Sequence, residues 1–140
     1  AKADVDEAEA GDEASFRQSV LPVMEAGQAQ LVAGDFALDD NVWLEPTPGH
    51  TSGHVAVGLV SEGARAVMCG DLIHFPVQCA HPDWVVGFDT DPVQGCATRQ
   101  SFLADNCESG RLVLTAHFPG TSMGYVERAG DAFGFRFHNG

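Results

Sequence analysis

Three residues with metal-binding side chains lie at turns or strand ends of this sequence. His50 follows the turn Pro48-Gly49, Asp71 follows the apolar run that ends at Cys69-Gly70, and His117 ends the run LTAH. A Pro-Gly turn restricts the backbone just before the imidazole, so little conformational entropy is left to lose when the ring binds a ligand. Imidazole and carboxylate ligands without thiolate suit Zn²⁺, Mn²⁺ or Fe²⁺. The pattern therefore predicts a divalent-metal site.

Each of these residues also has a simpler interpretation. A single aspartate after a strand usually caps a turn or a helix, and a single histidine on a loop is usually solvated or hydrogen-bonded in the core. The metal interpretation depends on all three ligands converging at one sheet edge. His54 is expected to support the turn or to orient a ligand rather than to bind metal. For His74, lining a substrate pocket and hydrogen bonding to a loop both stay open.

Three segments of the sequence resemble, in the same order, three metal-site motifs of the metallo-β-lactamase superfamily. They are PTPGHTSGHVAVGLV, GDLIH and LTAHFPG, and the resemblance extends over residues 15–137. It implies that His50 binds a first metal ion, that Asp71 bridges two ions, and that His117 binds the second. The implied cofactor is zinc, or manganese or iron, as one or two ions. The implied fold is an α/β (α+β) architecture, the C-terminal half of an αββα sandwich.

The resemblance also implies an activity. It predicts a hydrolase that acts on an ester-like or lactone-like small molecule through metal-bound hydroxide, with Asp71 as the catalytic residue that takes the proton from the attacking water. The segments GDLIHFPVQ and FDTDP are most similar to the lactonase and organophosphate-hydrolase-like branch. Phe118 is expected at the rim of the substrate pocket together with three other aromatic residues, although core positions are the commoner role for such side chains: Phe75, Trp84 and Phe88.

One motif of the superfamily is absent from these 140 residues. The histidines are His50, His54, His74, His81, His117 and His138, so no His-x-His-x-Asp-His cluster occurs. An alternative is therefore a catalytically inactive remnant that serves as an oligomeric interaction module. The sequence predicts either a homo-oligomer or a missing N-terminal half, because a half-sandwich exposes an apolar sheet face. A serine or cysteine nucleophile is disfavoured, since no G-x-S-x-G elbow is present.

Composition narrows the class of partner. With 44% hydrophobic residues in 140, the chain has enough apolar side chains for one core. A formal net charge of −13 disfavours nucleic acid and anionic membranes, both of which need clustered cations, and no apolar run approaches a membrane span. The four cysteines form no C-x-x-C pair and are expected to be reduced thiols of a cytoplasmic protein.

Hydrophobic periodicity and turn residues predict the elements that position these side chains. Residues 1–14 are expected to be an acidic, flexible tail, and residues 15–140 to form the half-domain. A helix with Pro22 inside it is predicted at 16–26, and a longer helix capped by Asp91 extends to residue 107. Strands are predicted at 28–32, 42–44, 54–60, 64–69, 111–115, 124–128 and 132–137, with the strand 64–69 buried.

Overall fold

The computed structural model describes residues 1–10 and 14–138 as a single sheet with helices at its edge and on one face. The α-helices are α1 (Lys2–Ala10), α2 (Leu21–Glu25), α3 (Val77–Ala80) and α4 (Pro92–Asn106). The strands are β1 (Val42–Pro46), β2 (Val55–Ser61), β3 (Ala64–Met68), β4 (Leu112–Leu114), β5 (Met123–Ala129) and β6 (Ala132–Phe137). The mixed α/β architecture predicted from the sequence is confirmed.

The six strands lie in chain order, β1-β2-β3-β4-β5-β6. All neighbours are antiparallel except β3 and β4, which are parallel because α4 lies in the connection between them. The antiparallel partners β2 and β3 are joined by the two-residue turn Glu62-Gly63, where both residues have positive φ. Since β3 and β4 are parallel, the loops that follow them leave the sheet at the same edge.

The hydrophobic core lies between one face of the sheet and α4. Val67, Val113 and Val126 are buried on that face, and Phe102 and Leu103 of α4 are buried in the same core. The opposite face is only half-covered, and alternate residues of the strands there are partly exposed. This alternation follows from the two-residue side-chain period of a strand with one buried face.

Asp91 begins α4 as predicted. Its side chain accepts a hydrogen bond from the backbone N–H of Gln94 at 3.0 Å, and Pro92 occupies the first helical position. The predicted helix 16–26 is also present, although a π-helical segment (Phe16–Val20) precedes α2. Pro22 accounts for this irregularity because proline has no N–H to donate and its ring displaces the carbonyl four residues earlier.

Several local predictions differ from the structure. Residues 28–32, all of which are described, form no strand, since the segment pairs with none of the described strands. The strand 64–69 was predicted to be buried, but only Val67 of β3 is buried and Met68 is 47% exposed. The apolar residues of β3 that do not face the core belong to the half-covered side of the sheet.

The acidic N-terminal segment contains α1, where a flexible tail was expected. Asp4 accepts a hydrogen bond from the backbone N–H of Gly53 at 2.9 Å, and Glu7 accepts one from Ser52 Oγ at 2.6 Å. Residues 11–13 of the predicted tail lie outside the described residues, and the division of the chain at residue 14 stays a prediction.

None of the described helices combines the length and the apolar character that a membrane crossing needs. The four cysteines are unpaired, and Cys69 and Cys79 are buried.

Candidate metal centre

The loop between β1 and β2 presents His50 against the start of α4. Gly49 has a φ of +134°, and a Cβ at this position would lie 2.3 Å from Gly95 Cα, so both the backbone angle and the close approach require glycine. The backbone N–H of Asp91 donates to Gly49 O at 2.9 Å, and that of Thr90 donates to His50 O at 3.0 Å. The loop is therefore held on both sides of the imidazole.

Asp71 lies in a 3₁₀ turn (Gly70–Leu72) directly after β3. Its backbone N–H donates to His54 Nε2 at 3.1 Å, and His54 Nδ1 lies 3.1 Å from Thr47 O on the opposite side of the ring. Nε2 thus accepts and Nδ1 donates, which is the tautomer of a neutral ring. Burial lowers the pKa of His54, in agreement with that neutral state. His54 therefore holds the backbone of the turn that carries Asp71.

The carboxylate of Asp71 lies between two imidazoles. His117, which follows β4, has its Nε2 atom 2.6 Å from Asp71 Oδ1, and His50 Nε2 lies 3.4 Å from Asp71 Oδ2. Burial raises the pKa of Asp71, but the hydrogen bond from His117 and the charges of the nearby histidines outweigh it and hold the pKa below the ordinary 3.8. Asp71 is therefore ionised at neutral pH.

His74 adds a third imidazole to this cluster. Its side chain is 7% exposed, and its ring stacks on that of His117 with 4.8 Å between centroids and an interplanar angle of 5°. The ligand atoms of Asp71, His74 and His117 all lie within 4.8 Å of one another. Burial, followed by the charge of His117, lowers the pKa of His74. Among the described residues, no hydrogen-bond partner reaches the buried His74 Nδ1.

Asp71, His74 and His117 could hold a divalent metal ion, and His50 adds a further imidazole beside Asp71 without belonging to that group of three. Three imidazoles and one carboxylate are the donor set that Zn²⁺, Mn²⁺ and Fe²⁺ prefer. Bonds of about 2.1 Å at a tetrahedral centre place two ligand atoms about 3.4 Å apart. His50 Nε2 and Asp71 Oδ2 lie at that distance, whereas His117 Nε2 and Asp71 Oδ1, at 2.6 Å, form a hydrogen bond and would have to separate for both atoms to bind one ion. A buried polar atom normally has a hydrogen-bond partner, and among the described residues His74 Nδ1 has none, so this nitrogen is open to a ligand such as a metal ion. The assignment of individual ligands stays a prediction.

The aromatic residues expected around the pocket separate into two groups. Phe118 is 4% exposed and packs in the core against the aromatic side chains of β6, and its role beside a substrate pocket stays a prediction. Phe75 and Phe88 are 54% and 73% exposed, and their rings lie 6.5 Å and 6.1 Å from that of His74. Trp84 stacks on His81 instead. Phe75 and Phe88 therefore flank the exposed side of the cluster.

Two functional candidates were not recognised from the sequence. Asp89, which lies in the segment FDTDP, has a fully buried carboxylate whose Oδ1 lies 3.1 Å from His50 Nδ1. Its Oδ2 lies 3.4 Å from Nη2 of Arg99, which is 1% exposed. Arg99 precedes the buried residues Phe102 and Leu103 by three and four positions, so the helical period places the guanidinium on the buried face of α4. The helical period therefore indicated, from the sequence, that Arg99 is buried and that it needs a buried anionic partner.

No protein-family model and no curated protein sequence matches this chain. Solved structures do match it. The hydrolase AbOPH of the β-lactamase superfamily has a TM-score of 0.78 and 23% identity over 89% of this chain and 44% of its own. AidC, a dizinc quorum-quenching lactonase, has a TM-score of 0.73 and 22% identity over 90% of this chain and 46% of its own. A probable metal-dependent hydrolase from Staphylococcus aureus has a TM-score of 0.55 and 20% identity over 81% of this chain and 42% of its own.

These similarities establish the fold. The chain shares the architecture of the matched part of these metallo-β-lactamase-like structures, in agreement with the fold predicted from the sequence. It spans less than half the length of each of these three solved structures.

Proposed function

We propose that this chain contributes metal ligands to a hydrolase centre that acts on an ester-like or lactone-like small molecule. The observation that carries the proposal is the convergence of His50, Asp71 and His117 from three separate loops, with Asp71 lying 2.6 Å and 3.4 Å from the two imidazoles. His74 lies within the same cluster. A dizinc lactonase and a hydrolase of the β-lactamase superfamily share this fold, which supports the choice of reaction class.

The residues of the chain have separate roles in this proposal. His50 and His117, which lie beside the two oxygens of Asp71, would be ligands of an ion, and the ionised carboxylate of Asp71 would supply negative charge and could accept a proton from water. His54 keeps the Asp71 turn in place through the backbone N–H. A bound divalent ion supplies Lewis acidity and lowers the pKa of water to about 7. Phe75 and Phe88 offer apolar contacts to a substrate beside the cluster.

Metal binding tests the ligand assignment. We expect the wild-type chain to retain zinc after equilibrium dialysis, and we expect His50→Ala and His117→Ala each to lower the bound zinc measured by mass spectrometry. His81→Ala is the matched control, because His81 is exposed and stacks on Trp84 away from the cluster. Unchanged zinc content in both ligand variants would contradict the assignment.

A second function is favoured by the absence of a His-x-His-x-Asp-His motif from these 140 residues. In that alternative the chain is an inactive module whose half-covered sheet face binds another chain. Turnover of chromogenic esters and lactones with added Zn²⁺ or Mn²⁺ separates the two functions. Hydrolysis that disappears in His117→Ala supports the hydrolase, whereas a metal-loaded chain without turnover supports the inactive module.

A further inference from the structure

We infer that Asp89 is a positioning residue that sets the tautomer of His50, so that Nε2 presents its lone pair to the metal cluster. Asp89 Oδ1 lies 3.1 Å from His50 Nδ1, and the Asp89 side chain is only 1% exposed. Metal-binding imidazoles are commonly held in this way by a carboxylate at the other ring nitrogen. The inference rests on the metal site proposed above, but its main observable is a property of the metal-free protein.

Arg99 determines the direction of the hydrogen bond at Asp89. Its Nη2 atom lies 3.4 Å from Asp89 Oδ2, while Nε donates to Leu72 O at 2.9 Å and Nη1 to Pro82 O at 2.8 Å. A guanidinium carries only donors, so Asp89 Oδ2 is the acceptor in its contact with Arg99. With Oδ2 accepting from the guanidinium, Oδ1 is presented to His50 as an acceptor, which places the shared proton on Nδ1.

The opposite side of the ring then faces Asp71 without a proton. In the neutral ring, His50 Nε2 is an acceptor, and it lies 3.4 Å from the carboxylate atom Asp71 Oδ2. Two acceptors at this distance repel each other unless a cation or an additional proton lies between them. Asp89 fixes the proton at Nδ1, and Asp71 lies opposite Nε2. The lone pair of His50 Nε2 is therefore directed at the space beside Asp71 Oδ2, where a cation is favoured.

The backbone keeps His50 and Asp89 together. Thr90 donates to His50 O at 3.0 Å and Asp91 donates to Gly49 O at 2.9 Å, so the loop before α4 runs alongside the His50 loop. The carboxylate and the ring are held by main-chain hydrogen bonds as well as by their own contact. This arrangement favours one ring orientation before any ion is bound.

An Asp89→Asn substitution is expected to reverse the tautomer. The amide has one acceptor and two donors, and Arg99 has only donors, so the Asn oxygen turns toward Arg99 and the NH₂ group toward His50. His50 Nδ1 then accepts, and the ring proton moves to Nε2, where it faces Asp71. The metal-binding nitrogen is blocked, and we expect zinc affinity to fall about 10- to 100-fold.

The experiment compares the wild-type chain with Asp89→Asn and with Asp91→Asn. Asp91 lies two residues further along the same loop and caps α4 without contacting His50, and asparagine is an equally good cap. In metal-free protein at about pH 8.5, roughly two units above the ordinary histidine pKa, long-range ¹H–¹⁵N spectra report the tautomer of each ring. We expect His50 to carry its proton on Nδ1 in the wild type and in Asp91→Asn, and on Nε2 in Asp89→Asn.

Zinc affinity, measured by competition with a chromophoric chelator, is the second readout. The inference is overturned if wild-type His50 carries its proton on Nε2, or if Asp89→Asn retains both the wild-type tautomer and the wild-type affinity. The wild-type spectrum decides the question by itself if Asp89→Asn does not fold. A wild-type chain that shows the Nδ1–H tautomer but binds no zinc supports the positioning role of Asp89 and contradicts the proposed function, so the two failures are distinguishable.

Discussion

Gly70 is the residue that allows the chain to turn from β3 into the Asp71 segment. Its φ is +54°, in the left-handed region, and a Cβ at this position would lie 2.9 Å from His54 Nε2. That nitrogen accepts the hydrogen bond from the backbone of Asp71. A side chain at Gly70 would therefore disturb both the turn and the imidazole that supports it.

We expect Gly70→Ala to lower the free energy of unfolding by at least about 1–2 kcal/mol, because an L-residue is strained at this φ and its methyl group displaces His54. Equilibrium urea unfolding measures the change. Gly87→Ala is the control, since a Cβ added at Gly87 would meet no atom within 4 Å and its φ is not left-handed, and it should change the stability by less than about 1 kcal/mol. Equal effects of the two substitutions would contradict this account.

At the scale of elements, α4 connects the core to the site. Phe102 and Leu103 bury its middle against the sheet, Arg99 on the same face binds Asp89, and the residues around its first turn support the His50 loop. The helix begins at Pro92 with Asp91 as its cap. Stability at the N-terminus of α4 is therefore coupled to the position of His50.

We expect Asp91→Ala to lower the free energy of unfolding by about 1 kcal/mol, because the backbone N–H of Gln94 loses its acceptor. Asp91→Asn should change it by only a few tenths, since asparagine retains the acceptor oxygen. Asp105→Ala, an exposed substitution in the last turn of the same helix, controls for the loss of a negative charge. Thermal or urea unfolding distinguishes the three variants, and a loss in Asp91→Asn as large as in Asp91→Ala would argue against capping.

At the scale of the whole molecule, the second face of the sheet is apolar and half-exposed. Val57, Met68, Leu114 and Met123 are direct neighbours across β2 to β5, and Met68 and Met123 are 47% and 36% exposed. A second copy of the chain would present the same apolar row, so the two faces could cover each other. We propose a second copy of the chain as the occupant of this face.

Self-association predicts a mass above 14.8 kDa by light scattering. We expect Met68→Glu and Met123→Glu to return the mass to that of one chain, because each places a charge in the apolar row. Val93→Glu is the matched control, since Val93 is 82% exposed on α4, outside this face. Added salt should strengthen the association by screening the net charge of −13 on each chain. A wild-type mass of one chain at both low and high salt would refute the proposal.

Local signals in the sequence were sufficient for most elements. Asp91-Pro92 marked the start of α4, and the turn at Glu62-Gly63 marked the β2–β3 hairpin, because capping and positive φ depend on a few adjacent residues. Burial was harder to predict. The apolar residues of β3 indicated a buried strand, but the face that carries Met68 is only half-covered by the described chain. The composition of a strand indicates whether its faces favour apolar contacts, but it does not show whether another segment or chain covers them.

The sequence by itself determined the turn that presents His50, the strand ends that carry Asp71 and His117, and the mixed α/β architecture. Only the tertiary structure decided which side chains meet. Asp89 is 39 residues from His50 in the chain, and their contact depends on the packing of α4 and its preceding loop against the sheet. Phe118 is likewise buried by contacts distant in the chain, those with Phe135 and Phe137 of β6. Propensities and spacing act over a few residues, whereas these contacts depend on how distant segments pack. The loops that carry the proposed ligands can therefore be predicted from the sequence, and the residues that support them cannot.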